Sequence, residues 1–373
     1  MKNNGQFKDG EWFISLIPES HPEEVMIELT TKCNYDCIYC FRRNLINEED
    51  GLIDTGLALK IIDEAAITGV KKISFSGWGE PLLHPDALDI LRYAKKKGLE
   101  VLLNTNGYFL KESIEEIFNI RVDYIIVSID SPDDDVYKII RKGGDLARLM
   151  EAFLRLLELR IEHTSKKPIV EIQFTINKHN YGNIYPMIRL AQRIGASRIV
   201  VSNIIPLSKK HEEQLACYLD GKCVSEVDKI KIKLAEISLE TGVEISLPNF
   251  NRSCSERTCP YVSRRAIYVR HDGLVAPCIY YAHHWRNCLF GIEREIYPVI
   301  FGDLKKDKLI DIWRKPEYVR FRFRTYYMHY PSCLDCPVQE YCTLTLDNNS
   351  DCWGSNPSCA HCPYSRNLTR CPL

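Results

Sequence analysis

The chain has 373 residues, 45% hydrophobic and 27% charged, with 16 cysteines and a formal net charge of −1. That size and apolar content exclude a disordered chain or a disulfide-stapled miniature, and leave room for more than one domain. The near-zero charge supplies no global basic field for nucleic acid or an anionic membrane, and no run of about 18 apolar residues is present to cross one.

The opening residues, MKNNGQFKDGEWF, lack the apolar stretch of a signal peptide. The expectation is a cytoplasmic chain whose cysteines stay reduced and bind metal rather than pair. Residues 1–24 form an N-terminal segment. Then six short Val- and Ile-rich runs predict buried parallel strands, at 25–30, 71–76, 99–104, 123–129, 169–176 and 197–203. Amphipathic helical patterns lie between and after them. The pattern over 55–69 puts Leu59, Ile62 and Ala66 on one face. The one over 85–98 opens on Pro-Asp and closes on lysines and Gly98. Further helices are predicted over 145–159, 185–195 and 225–241, the last stopping at Gly242.

Alternating strands and helices predict a parallel α/β fold over 25–247, with ligands at the C-terminal strand ends. Four unusual loops converge there. TKCNYDCIYC (31–40) follows the first strand, SGWGEP (76–81) the second and NTNG (104–107) the third, while SIDS (128–131) closes the fourth. Cys33, Cys37 and Cys40 are three thiols without a fourth nearby. They suit three corners of a [4Fe–4S] cluster with one iron left open. A zinc site needs a fourth ligand from elsewhere. A redox CxxC pair leaves Cys33 unused.

Residues 248–373 lose the alternation. CPYVSRRAIYVRHDGLVAPC (259–278) predicts a hairpin with an Asp-Gly turn at 272–273, bracketed by Cys259 and Cys278. CLDCPVQEYC then gives Cys333, Cys336 and Cys342, and the tail adds Cys352, Cys359, Cys362 and Cys371. CxxC pairs also build zinc ribbons, so the metal stays open at this level. Cys217, Cys223 and Cys288 fall outside every pattern and read as ordinary thiols.

CNYDCIYC fits CxxxCxφC, with Tyr39 as the aromatic φ, and so resembles the radical S-adenosylmethionine (SAM) superfamily. The resemblance implies a partial (β/α)6 TIM-like barrel and a cluster whose open iron is chelated by SAM. It also implies reductive cleavage of SAM to a 5′-deoxyadenosyl radical that abstracts a substrate hydrogen, with ferredoxin or flavodoxin as reductant. Carried over by motif, Gly77, Gly79 and Glu80 of GWGEP resemble the Gly-Gly-Glu-Pro contact to SAM's amino group, with Trp78 replacing the second glycine. Glu80 also reads as a helix-start carboxylate. Asn106 lies in a family-like turn near the ribose. Ser128 and Asp130 offer polar groups at the fourth strand end. Arg141 resembles a partner for SAM's carboxylate, with an exposed helix arginine as the alternative. Asn203 and Ile204 correspond to an adenine wall, though Ile204 equally suits the core.

The cysteine-rich half resembles the SPASM extension of radical SAM maturases, which implies two auxiliary [4Fe–4S] clusters. The family's final CxxxC step fails here, because position 346 is Leu346. The analogy gives Cys259, Cys278, Cys254 and one tail cysteine to the first cluster, and Cys333, Cys336, Cys342 and another tail cysteine to the second. Ten thiols are available for eight positions. Ile279, Tyr280 and Tyr281 after Cys278 replace the general-base aspartate of sulfatase maturases. The tail and SGWGEPLLHP resemble the maturases of tungsten-containing aldehyde ferredoxin oxidoreductases. This implies action on such an enzyme or its pterin cofactor. A maturase of ribosomally made peptides and a non-enzymatic iron–sulfur carrier are the alternatives.

Overall fold

The computed structural model describes residues 5–251 and 257–373. Cys254 lies outside the described residues. The six expected strands form, as β1 (Glu24–Ile27), β2 (Lys72–Phe75), β3 (Glu100–Thr105), β4 (Tyr124–Ser128), β5 (Ile169–Ile176) and β6 (Ala196–Asn203). Each pairs in parallel with the next in chain order, giving the unbroken series of a partial β/α barrel. The apolar runs are continuous because both faces of these strands are covered; Val25, Ile27, Ile73, Val101, Ile125, Ile172 and Ile199 are all fully buried.

Helices pack between the strands. In α1 (Thr55–Thr68), Asp54 caps the first turn by accepting from the Leu57 amide, and Gly69 ends it at φ 95°. Its buried stripe is Ala58, Ile61, Ile62 and Ala65, with Leu57 beside it. Leu59 and Ala66, expected to share Ile62's face, are only half-buried. The i, i+3, i+4, i+7 spacing that starts at Ala58 fits the sheet, and a start at Leu59 misses it by 100° of rotation. Within residues 25–247, three helices have no counterpart in the sequence reading: α3 (Leu110–Ile120), α4 (Asp134–Ile140) and α7 (Lys209–Leu215). α2 (Ala87–Lys96), α5 (Leu146–Glu162), α6 (Ile184–Arg193) and α8 (Gly221–Thr241) match expected helices. An unforeseen hairpin, Gln6–Asp9 with Trp12–Ser15, precedes the barrel.

The sheet crosses the boundary drawn at 247. β7 (Glu244–Ser246) extends it beyond β6, and β8 (Ala266–Val269) pairs in parallel with β1. β8 and β9 (Leu274–Ala276) make the expected Asp-Gly hairpin, with Gly273 at φ 84°. β10 (Gly302–Asp303) closes a ten-stranded order β7-β6-β5-β4-β3-β2-β1-β8-β9-β10. The cysteine-rich region is thereby welded to the barrel's first strand.

One expectation is corrected. Cys217 and Cys223 are joined by a disulfide, their Cα atoms 5.4 Å apart, and both are fully buried. Asp220 caps α8 by accepting from the Lys222 and Cys223 amides, which folds the chain back so that the two cysteines meet. Among the described residues no helix is long and apolar enough to cross a membrane.

Candidate active site

The C-terminal ends of β1–β6 open into one cleft. Cys33, Cys37, Tyr39 and Cys40 line it together with Gly77, Gly79, Glu80, Asn106, Ser128, Arg141, Asn203 and Ile204. Asp130 is the one expected contact set behind the wall. It is fully buried, and its Oδ1 accepts from the Thr175 amide at 2.7 Å.

The cysteine loop is held by short bonds. Asp36–Cys37 pairs antiparallel with Arg141–Lys142, and the Ile38 amide donates to Ile140 O at 2.9 Å. Tyr39 Oη donates to Asp130 Oδ2 at 2.5 Å and accepts from Arg141 Nη2 at 2.6 Å. Arg141 Nε lies 2.7 Å from Asp130 Oδ2, and Nη1 faces Cys37 Sγ at 3.8 Å. Arg141, expected on SAM's carboxylate, is thus committed to Asp130, Tyr39 and Cys37. The exposed-helix alternative fails as well, because Arg141 is only 5% exposed.

The glycines of the second loop are there for close approach. A Cβ on Gly79 would lie 2.3 Å from Lys32 O and 2.4 Å from Thr30 O, both backbone of the cysteine loop. The Glu80 amide donates to Lys32 O at 2.8 Å. Trp78 does not disturb this turn. Its indole packs among Phe41, His283 and Trp285, and Nε1 donates to Ile279 O at 3.1 Å.

Glu80 starts a turn, as its helix-start reading expects, and its carboxyl also faces the cleft. It caps the turn Pro81–Leu83 through the Leu82 amide. Thr105 Oγ1 and the Asn106 amide also donate to it, at 2.7 and 2.6 Å. Burial outweighs these donors and pushes its carboxyl up to about 7. Asn106 Nδ2 donates to Asn34 Oδ1 at 2.8 Å and faces Cys33 Sγ at 3.7 Å, so this residue braces the cysteine loop. Asn203 Nδ2 donates to Asn249 O and Leu368 O, while its buried Oδ1 has no hydrogen-bond partner. Ile204 is both wall and core, packing with Tyr39 and Ile38.

Sequence reasoning missed Ser76, Asn104, Gln173, Thr175, Ser202, Thr369 and Arg370 in the lining. The first five are polar groups at or beside strand ends, a signal that was available. The last two arrive from the chain's far end: the Arg370 amide donates to Ser202 Oγ at 3.0 Å, and Thr369 Oγ1 to Asn203 O at 3.2 Å.

Apart from Cys288, whose Sγ donates to Glu212 Oε2 at 3.6 Å, the remaining described thiols form two groups. Cys278 is pushed well up by burial and by the charges of Cys362, Cys259 and Cys359. Cys371 is raised by burial and then by Cys259 and Cys362. Cys259, Cys278, Cys359, Cys362 and Cys371 are therefore neighbours. Cys333, pushed up to about 12 by burial first, feels Cys352 and Cys336. Two linked turns carry the chain from Cys336 to Cys342, through the Gln339 and Cys342 amides.

Residues 27–170 match a family described as the radical SAM superfamily, and residues 259–337 match SPASM, an iron-sulfur cluster-binding domain. A Pyrococcus furiosus protein named tungsten-containing aldehyde ferredoxin oxidoreductase cofactor-modifying protein is 33% identical over 350 residues, 93% of this chain and 96% of its own. The chain belongs to the radical SAM superfamily. An AdoMet-dependent heme synthase of Methanosarcina barkeri is 26% identical over 318 residues, 80% of this chain and 84% of its own. Streptococcus suis SuiB bound to S-adenosylmethionine shares the fold, with a TM-score of 0.62 and 18% identity, over 87% of this chain and 73% of that one.

As a radical SAM enzyme the chain uses SAM and a [4Fe–4S] cluster, and its SPASM region is of iron–sulfur-binding type. The donor sets fit. Burial pushes the Cys37 thiol up to about 12 and Cys40 up to about 11. Groups of buried thiols that raise one another become thiolates only beside compensating positive charge, which cluster iron supplies. The orphaned Asn203 Oδ1 suits a donor on a bound ligand.

Proposed function

We propose that this enzyme cleaves SAM reductively and uses the 5′-deoxyadenosyl radical to modify a tungstopterin oxidoreductase, or its cofactor, during maturation. The observation that carries the reading is the near full-length match to the Pyrococcus furiosus cofactor-modifying protein. On this reading residues 25–247 are the radical SAM core and residues 248–373 the auxiliary-cluster unit. Cys33, Cys37 and Cys40 hold the SAM-binding cluster. When bound, that cluster supplies the electron and the open iron that SAM's amino and carboxylate groups fill. Gly79 and Glu80 shape the wall that receives the amino group, and Asn203 receives the adenine. Arg141 and Tyr39 hold the cysteine loop in place. Cys259 and Cys278 with tail thiols hold one auxiliary cluster; Cys333, Cys336, Cys342 and Cys352 hold the second. Ferredoxin or flavodoxin supplies the reducing equivalents.

The test is anaerobic incubation of reconstituted protein with SAM and dithionite. The expected result is 5′-deoxyadenosine from the intact protein and none from Cys37→Ala. Iron should reach about 12 per chain, three four-iron clusters, and a count near four overturns the auxiliary clusters. Adding a tungsten oxidoreductase made without this protein should stimulate SAM cleavage and change the mass of its cofactor or polypeptide. Unchanged masses refute the substrate while leaving the SAM chemistry intact. Turnover on a short precursor peptide instead would favour the peptide-maturase alternative.

A further inference from the structure

Outside the cleft, one cluster of ligating side chains is absorbed by none of the chemistry above. Glu28, one residue past β1, is fully buried behind the Gly77–Glu80 turn. Its Oε2 accepts from the Trp78 amide at 3.0 Å and from Tyr268 Oη at 2.6 Å. Its Oε1 faces His271 Nδ1 and His283 Nε2, each at 3.0 Å. One ligand atom from each of Glu28, His271 and His283 lies within 4.8 Å of the others.

We propose that Glu28, His271 and His283 form a binding site for a divalent transition-metal ion of the zinc class. Two imidazoles and one carboxylate make a donor set such ions favour, with a further position left for water or an exogenous ligand. The spacing fits. Nitrogen and oxygen ligands about 2.0–2.1 Å from a tetrahedral ion lie about 3.3 Å apart, so the two carboxylate–imidazole pairs at 3.0 Å need to widen slightly, while the two imidazole nitrogens lie within 4.8 Å of each other.

The surroundings are those of a supported site. His283 Nδ1 faces the Glu48 carboxylate, which also accepts from the His284 amide at 3.1 Å. A carboxylate behind an imidazole fixes the tautomer and turns the other nitrogen toward a metal. Trp78 and Tyr268 pin Oε2, and Oε1, which also accepts from the His271 amide at 3.3 Å, is the oxygen turned to both imidazoles. A Cβ on Gly77 would sit 2.6 Å from Glu28 Cγ, so the packing around the carboxylate fixes that glycine too. The His271 side chain, 14% exposed, offers a way in. An ion here would tie β1, the β8–β9 turn and His283 to the backbone of the SAM-facing loop.

The test uses protein reconstituted anaerobically with iron and sulfide, so that its cluster cysteines are occupied. It is then given one equivalent of zinc chloride and desalted. The expected result is about one zinc per chain and a zinc-edge X-ray absorption shell of nitrogen and oxygen at about 2.0–2.1 Å, without sulfur at about 2.3 Å. His271→Gln should abolish uptake, and Glu48→Gln should weaken it by about tenfold or more, with iron content unchanged in both. A sulfur-containing shell, undiminished uptake by His271→Gln, or no uptake by intact protein would overturn the proposal. In the last case the same atoms are held by a proton shared between His283 and its two carboxylates.

Discussion

Raising the pH from 6 to 8 ionises Glu80 inside the fold. Its carboxyl sits at about 7 there, against 4.5 when free, because burial opposes the charge more than three donors favour it. The folded state therefore keeps the proton longer than the unfolded chain, and stability falls as pH rises. The group costs nothing well below pH 4.5. Its cost grows between 4.5 and 7 and levels off above, at about 3 kcal/mol for a shift of this size. Between pH 6 and 8 the linkage relation gives a loss of about 1.3 kcal/mol. The direct assay is the infrared carboxylic-acid band present in cofactor-free wild type and absent from Glu80→Gln. It should titrate with a midpoint near 7, and the unfolding free energies of the two proteins, from urea titrations, should diverge by the stated amount over the same interval. A band that vanishes with a midpoint near 4.5, or stability that rises relative to Glu80→Gln, refutes the reasoning.

Gly79→Ala places a methyl group against two backbone carbonyls of the cysteine loop and should cost about 3 kcal/mol, the upper end of overpacking. Because Lys32 precedes Cys33, this variant should also lose about four irons per chain, one cluster's worth, on elemental analysis; full iron retention would contradict it. Tyr39→Phe removes a hydroxyl bonded to Asp130 and Arg141 at 2.5 and 2.6 Å. Hydrogen bonds to charged groups are worth about 1.5–3 kcal/mol each, so chemical denaturation should show a loss in that range. A loss under about 0.5 kcal/mol would mean that Arg141 and Asp130 close the gap unaided.

What was legible in the sequence was the part written by local pattern. Runs such as IVEIQFTI announce a strand covered on both faces, and Ile169–Ile176 is that strand. CxxxCxφC and GWGEP mark loops whose positions follow from the strands they terminate. Helix α3 carries the same kind of local signal, since Leu110, Ile114 and Ile117 fall on one buried stripe. Partnerships between distant residues were not legible. Asp130 looks like a free polar group at a strand end, and Arg141 like a ligand's partner or an exposed helix arginine; only the fold sets the guanidinium against a carboxylate and a tyrosine from the cysteine loop. A buried ion pair of this kind satisfies its own charges and leaves little for a ligand. The Cys217–Cys223 disulfide likewise depends on the cap at Asp220, not on the cysteine spacing.

The tail cysteines show why counting along the chain misleads. The family pattern expects a ligand at 346, where Leu346 is an exposed side chain whose carbonyl accepts from the Glu295 amide at 2.8 Å. The chain then returns. The Asn249 amide donates to Asn367 O at 2.7 Å, the Thr258 amide to Ser365 O at 2.8 Å, and Asn203 Nδ2 to Leu368 O at 2.9 Å. These bonds strap residues 365–368 beside Cys259 and deliver Cys359, Cys362 and Cys371 to Cys259 and Cys278. On the proposed reading, a ligand missing from one spacing is replaced by thiols that are distant in sequence and adjacent in space. On the same reading, Cys352 beside Cys333 and Cys336, with Cys342 two turns on, gives the second group four thiols among the described residues. The surplus among the described residues then lies, on that reading, in the first group, whose five thiols exceed the four that one cluster takes. The same strap that supplies those thiols brings Thr369 and Arg370 to the cleft at the strand ends. On the proposed reading, the ligands of an auxiliary cluster and the rim of the radical site are therefore one continuous segment.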